Sequence, residues 1–199
     1  HPEIVRILVD GGASVDDDHL KAAAYGGSVD SVRLLLEKGP SGATNPTKWS
    51  ASACDRALNE ACSKSNVPMV KVLVKAGAKC DSAEPLLEAA EAGGIEVMKV
   101  LLENGANVNR PDVRSETALM RAARSSGSAD AVEFLIQNGA DVNAVGGDPA
   151  QTAFDWACRY HRYDMAELLL KYGAKGKMPD PGEDRFAYKP RWYEAPPRT

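Results

Sequence analysis

Phe134-Leu135-Ile136-Gln137-Asn138-Gly139-Ala140 is one of six appearances of a single phrase: three apolar residues, two mostly polar ones and a closing glycine. The others lie at 7–13, 34–39, 72–78, 100–106 and 168–174, with closing glycines at Gly12, Gly39, Gly77, Gly105, Gly139 and Gly173. Successive glycines are 27, 38, 28, 34 and 34 residues apart, which scatters around a period of about 33 residues. A unit this short cannot bury its apolar face alone and must stack on copies of itself. The expected product is an elongated array, a shape that favours broad-surface binding over catalysis.

Ahead of each apolar triplet lies a segment with two adjacent small residues: Ala23-Ala24, Ala61-Cys62, Ala89-Ala90, Ala122-Ala123 and Ala157-Cys158. Small side chains let neighbouring helices approach closely, and the Leu, Val and Ile residues of the second helix fill the remaining space. The closing glycine accepts a left-handed helix cap. Asn107-Val108-Asn109 and Asp141-Val142-Asn143 then open exposed turns whose Asx side chains can bond local backbone. Every apolar segment has helical period and helical length. The expected fold class is all-α: a solenoid of stacked antiparallel helix pairs with turn, or finger, loops and almost no regular sheet.

The fifth unit runs from Thr117-Ala118-Leu119-Met120-Arg121-Ala122-Ala123 to Gly139-Ala140-Asp141-Val142-Asn143. It resembles the Thr-Pro-Leu-His-x-Ala-Ala … Leu-Leu-x-x-Gly-Ala-Asp-Val-Asn pattern of the ankyrin-repeat family. Thr152-Ala153-Phe154-Asp155-Trp156-Ala157-Cys158 matches nearly as well. Lys21, Asn59, Leu87, Met120 and Asp155 stand where the family has its histidine, and Ser65 and His161 where it has a helix-linking glycine. The resemblance covers about residues 1–174, with units at about 1–16, 17–40, 54–81, 82–109, 110–143 and 144–174. An insert loop at 40–53 and a Pro/aromatic-rich tail at 175–199 complete the expected organisation.

The chain has 199 residues and a net charge of −4, with 24 basic against 28 acidic side chains. That argues against a nucleic-acid binder, which needs a basic stripe to displace phosphate counterions. No apolar run approaches the roughly 20 residues that span a bilayer, and His1-Pro2-Glu3 does not begin a signal peptide. An intracellular protein, cytoplasmic or nuclear, is expected, with its four cysteines reduced. The opening His1-Pro2-Glu3-Ile4-Val5-Arg6 reads as the second helix of a unit whose first is missing, so a fragment of a larger scaffold or regulatory protein is expected. Such an end exposes an apolar face.

Two segments leave alternatives open. The tail holds five prolines among Phe186, Tyr188, Trp192 and Tyr193. It either folds back so that Phe186 or Trp192 covers the sixth unit near Met165, Leu169 and Tyr172, or it docks on another protein. The insert is rich in Gly, Pro, Ser, Thr and Asn and reads as a loop. Its Trp49 is either tucked against a helix or presented to a partner.

Chemistry-bearing clusters are sparse. Cys54, Cys62, Cys80 and Cys158 have no metal-ligand spacing. Cys62 and Cys158 replace a small core alanine and read as buried thiols. Cys158 and His161 read as a core thiol beside a turn histidine rather than a nucleophile and its base. Asp16-Asp17-Asp18 lacks the glycine and glutamate of a calcium loop and reads as a turn in which Asp18 caps the next helix. No cofactor is expected.

The resemblance implies that a partner lies along the turn tips and the inner helices. Carried over residue by residue, this marks Val113, Arg114 and Glu116 at the tip of the fifth unit, with Arg124 and Ser125 on its inner helix. In the sixth unit it marks Asp148, Pro149 and Gln151, then Trp156, Arg159 and Tyr160. Tyr25, Lys64 and Glu91 hold equivalent places earlier, and Trp49 joins them if its loop is presented. Acidic residues (Asp16, Asp17, Glu60, Glu88, Glu91) crowd the first four units and Arg110, Arg114, Arg121, Arg124, Arg159 and Arg162 the last two. Two separate charge zones are expected. The leading reading is a monomeric, non-enzymatic module that binds a protein or extended peptide through acidic or aromatic anchors, without nucleic acid or membrane insertion. The alternative is an enzyme, or an enzyme's regulatory array, whose catalytic part lies outside this chain or in the insert and tail.

Overall fold

The computed structural model describes residues 2–40, 49–125, 129–147 and 150–178. Among these the regular elements are helices: α1 (Pro2–Asp10), α2 (Asp17–Tyr25), α3 (Val29–Lys38), α4 (Ala51–Ser63), α5 (Val67–Lys75), α6 (Glu84–Glu91), α7 (Ile95–Glu103), α8 (Ala118–Arg124), α9 (Ala129–Gln137), α10 (Ala153–Arg159) and α11 (Tyr163–Lys171). A single isolated bridge, Gly146 with Gln151, is the β pairing among the described residues.

The helices pair as α2·α3, α4·α5, α6·α7, α8·α9 and α10·α11. An inner row, α2·α4·α6·α8·α10, and an outer row, α3·α5·α7·α9·α11, then stack pair on pair. The inner row is close-packed because its contact positions are small: Ala57, Ala61, Cys62, Ala89, Ala90, Ala122, Ala123 and Ala157 are all buried. Leu58, Leu87, Leu119 and Phe154 from the inner row meet Leu35, Leu73, Leu101, Leu135 and Leu169 from the outer row in one continuous core. This is an all-α repeat solenoid.

Local chemistry sets the helix ends. Thr117 accepts from Met120 N and Thr152 from Asp155 N, and Asp155 returns the favour to Thr152 N. Such side-chain caps satisfy otherwise orphaned N–H groups. Asp16, not Asp18, caps α2: its carboxylate accepts from Asp18 N and His19 N, so α2 starts at Asp17, two residues earlier than an Asp18 cap would place it. Gly27 and Gly93 take left-handed φ values of 72° and 70° between the two helices of a pair, and Ser65 (51°) and His161 (56°) hold that conformation without a glycine.

The Asx turns reach further than local backbone. Asn109 donates to Gly139 O at 2.9 Å and accepts from Asp141 N at 2.7 Å, both in the next unit. Asn143 repeats this with Gly173 O at 3.1 Å and Lys175 N at 2.8 Å. Each is a two-way clamp from one turn to the helix cap that follows about 30 residues later.

The insert is shorter than its composition suggests, because α4 begins at Ala51, capped by Ser50. Trp49 is tucked in, only 6% exposed, with its indole N–H donating to Leu35 O at 3.2 Å. It packs on the C-terminal end of α3 and shares the Leu35 carbonyl with the capping Gly39 N–H, which donates to it at 2.9 Å. At the array's first end, α1 packs on α3, leaving Ile4, Ile7 and Leu8 exposed. A mostly apolar cleft of about 340 Å³ lies beside it, lined by Val5, Leu8, Val9, Val15, Ala22, Ala23 and Leu35 among others. At the other end, Ala174 and Met178 pack on the core and Gly176 lies against Phe154, where a Cβ would come within 2.2 Å of the ring. The expected covering contacts of Phe186 and Trp192 lie outside the described residues.

Trp49→Ala is expected to destabilise the array by about 3–5 kcal/mol, the range for emptying a buried aromatic site. Urea denaturation followed by circular dichroism checks this; a loss under about 1 kcal/mol would show that this packing is dispensable.

Candidate partner-binding face

The inner helices bring equivalent residues side by side along the inner row. In chain order these are Tyr25 on α2, Glu60 and Lys64 at the end of α4, Glu88 and Glu91 on α6, Arg121 and Arg124 on α8, and Trp156, Arg159 and Tyr160 at α10. The row is continuous because each inner helix packs directly on the next.

The charges on this row interlock. Arg121 Nη1 lies 2.9 Å from Glu91 and 4.0 Å from Glu88 across the α6–α8 boundary. Its Nη2 reaches Asp112 at 3.2 Å and its Nε reaches Glu116 at 2.8 Å. Arg124 meets Glu116 at 3.1 Å and Glu91 at 3.7 Å. The expectation of two separate charge zones is therefore corrected: where α6 meets α8 the zones touch and pair. Glu116 is corrected with it, since at 4% exposure it is a buried anchor for both arginines rather than a turn tip. Asp112 organises the turn itself, accepting from Arg114 N and Glu116 N at 2.8 Å each.

These contacts shift acidities in opposite directions. Burial alone would raise the Asp112 pKa, but the two backbone N–H donors and Arg121 outweigh it and hold the carboxyl below its ordinary value. The stability this gives is present above the ordinary value and is lost as pH falls through the lowered one. Glu88 goes the other way: burial, then Glu91, Glu84 and Glu60, raise its pKa against the opposing Arg121. Desolvation of Arg121 is overcome by its carboxylate partners, which keep it charged.

The α10 end is aromatic and cationic. Arg124 and Arg159 lie over the Trp156 ring, 5.7 and 5.5 Å from its centroid, and Tyr160 lies 5.8 Å away. Guanidinium groups at this distance are held by the ring quadrupole. Trp156 is only 6% exposed, whereas Tyr160 is 50% exposed. Arg159 also donates to Gln151 Oε1 at 3.1 Å. Among the described residues neither Arg159 nor Arg114 has an acidic partner within 4.0 Å. Arg114 sits in the fifth unit's turn beside fully exposed Val113, and its carbonyl accepts from Gly147 N at 2.9 Å. That bond and the close approach of Gly146 to Ser115 lock the last two turns together; a Cβ at Gly146 would fall 1.7 Å from Ser115 O.

The remaining expected residues divide. Tyr25 is exposed, with Lys64 Nζ 4.2 Å above its ring and bonded to its carbonyl. Lys64 also pairs with Glu60 at 2.9 Å. Asp148 and Pro149 lie outside the described residues. Trp49 is withdrawn from the surface by its burial, and Ser125 is the half-buried cap of α8. Sequence reasoning missed Arg121 and Asp112 as organisers. A signal existed: Glu88 and Arg121, like Glu91 and Arg124, are 33 residues apart, so opposite charges recur one period apart and must meet when units stack.

The thiols show no activated nucleophile. All four are free; Cys158 is half-buried rather than fully buried as expected. Burial, then Asp155, pushes its pKa up to about 11, so it is a neutral thiol at ordinary pH. Among the described residues no cluster of three or more His, Cys, Asp or Glu could hold a metal, and no helix is long and apolar enough to cross a membrane.

A family model described as ankyrin repeats (3 copies) matches the chain in overlapping placements at residues 20–112, 58–146 and 112–180. The chain is also similar to the Ankyrin repeat and KH domain-containing protein mask-1 of Caenorhabditis elegans, 28% identical over 210 residues. That alignment takes in 88% of this chain and 8% of the relative, so the chain spans under a tenth of that protein's length.

Because Gln resembles the protonated acid, Glu88→Gln is expected to be more stable than the parent at pH 7. The sign follows from the raised pKa: the stability tied to the protonated Glu88 is fully present below the ordinary value of 4.5 and is lost as pH climbs through the raised value. Urea midpoints at about pH 4 and pH 7 check this. A variant less stable at pH 7 than the parent would show that the Arg121 contact outweighs burial.

Proposed function

Because the chain belongs to the ankyrin-repeat family, whose repeats indicate a protein–protein interaction module, we propose that it binds a protein segment on its concave face, centred on Arg159, Tyr160 and the Trp156 edge. The fold is generally a non-catalytic binding module. The observation that carries the placement is the α10 cluster: a half-exposed tyrosine and an arginine without an acidic partner among the described residues, set on a buried tryptophan. Arginine and aromatic residues supply most interface energy, and a stiff array loses little freedom on binding. Arg114 and Gln151 flank the cluster from the turns, and Tyr25 and Lys64 extend the same face at its far end. Arg124 contributes by holding Trp156 in place, since its guanidinium is already shared with Glu116 and Glu91. The chain acts in this reading as the recognition part of a larger scaffold or regulatory protein, inside the cell.

Capture from a cell extract with mass spectrometry supplies the partner, and titration calorimetry then compares variants. Arg159→Ala with Tyr160→Ala is expected to cost about 2 kcal/mol or more of binding with unchanged folding. Binding that survives this pair would move the interface away from α10.

A further inference from the structure

The inner row has a charge order, and that order specifies its partner. We propose that the face takes an extended segment of two-sided charge: a basic residue over the α4–α6 end and an acidic residue about seven positions away, over Arg159. This rests on the concave-face reading above and names the chemistry of its ligand.

At the α4–α6 end carboxylates outnumber cations. Burial disfavours the charged form of Glu88, and the neighbouring carboxylates of Glu91, Glu84 and Glu60, in that order, oppose its ionisation further. The cations there are Arg56, exposed on α4, Lys64, on Glu60, and Arg121 and Arg124, which also serve Asp112 and Glu116, so four cations face six carboxylates. Arg121 cannot move toward Glu88 without abandoning those acids, so its 4.0 Å separation from Glu88 is fixed by the turn of the fifth unit. A lysine or arginine from a partner supplies the missing charge. At the α10 end the balance reverses: among the described residues Arg159 bonds only the neutral Gln151 and stacks on Trp156. An incoming carboxylate can engage its guanidinium beside the Tyr160 hydroxyl without breaking an ion pair.

The middle of the row explains why the two ends do not cancel. Arg121 and Arg124 are two cations shared among Asp112, Glu116, Glu91 and, at 4.0 Å, Glu88, so this group keeps net negative charge and stands between α4 and Arg159. The spacing follows from stacking. Packed helices lie about 8–10 Å apart, so a point between α4 and α6 is about 22 Å from α10. An extended chain advances about 3.3 Å per residue, which sets the separation of about seven. Like charges placed against the wrong end are repelled, so the order selects one orientation of the bound segment.

The test is selection of a random 16-residue peptide library, displayed on phage, against the full chain, followed by anisotropy measurements on the winning peptides. Expected winners carry basic and acidic positions about seven residues apart. Glu60→Lys and Arg159→Glu should each weaken them about 10-fold or more, and peptides with the two charges exchanged should prefer the double variant. Winners that are purely acidic, indifferent to Glu60→Lys but lost with Arg159→Glu, would overturn the two-sided charge and leave the concave-face reading standing. Winners indifferent to both substitutions, or no enrichment at all, would overturn both. Circular dichroism of each variant separates loss of binding from loss of fold.

Discussion

The close approach of one inner helix to the next is the contact on which everything else depends. Leu58, Leu87 and Leu119 lie in one core cluster that runs from unit to unit, and a single pair could not seal it alone. Approach is possible because Ala61, Ala89, Ala90, Ala122, Ala123 and Ala157 occupy the contact line. A larger side chain there would force neighbouring units apart and open the core on both sides. The same packing lines up the solvent side of the inner helices into one row, so the core geometry and the proposed recognition face share a cause.

Polar contacts then fix the register of the stack. Asn109 and Asn143 bind the cap of the following unit in both directions. Arg121 does the equivalent on the inner row, joining α6 to the turn that precedes α8. A buried guanidinium with several carboxylates gives specificity of geometry more than net stability, because desolvation offsets much of the attraction. Among the described residues the arginines in the middle of the row are paired with carboxylates, whereas Arg159 at the α10 end is not.

The helical repeat was legible from the returning apolar triplet and the paired small residues, since both report a period that only stacking satisfies. Helix ends were less legible. Asp16 rather than Asp18 caps α2, and α4 begins inside the polar insert, because capping depends on where neighbouring units let a helix start. Trp49 was undecidable from sequence: its partner, the Leu35 carbonyl, belongs to a helix end whose position in space no local pattern gives. Glu116 was misplaced at a turn tip because its burial comes from two arginines folding over it. The pairing of Arg121 with Glu91 was readable from charges one period apart, but only if equivalent positions of adjacent units are compared as spatial neighbours.

If stacking carries the fold, local stability must rise from the ends of the array toward its centre. Native-state hydrogen exchange, resolved by helix, measures this most directly. The account predicts weak protection in α1, which packs on α3 and leaves Ile4, Ile7 and Leu8 exposed. It predicts a shared, highest opening free energy for α4, α6 and α8, whose amides should be lost together. Protection in α1 equal to that in α6, or separate opening of α4, α6 and α8 as independent helix pairs, would contradict it.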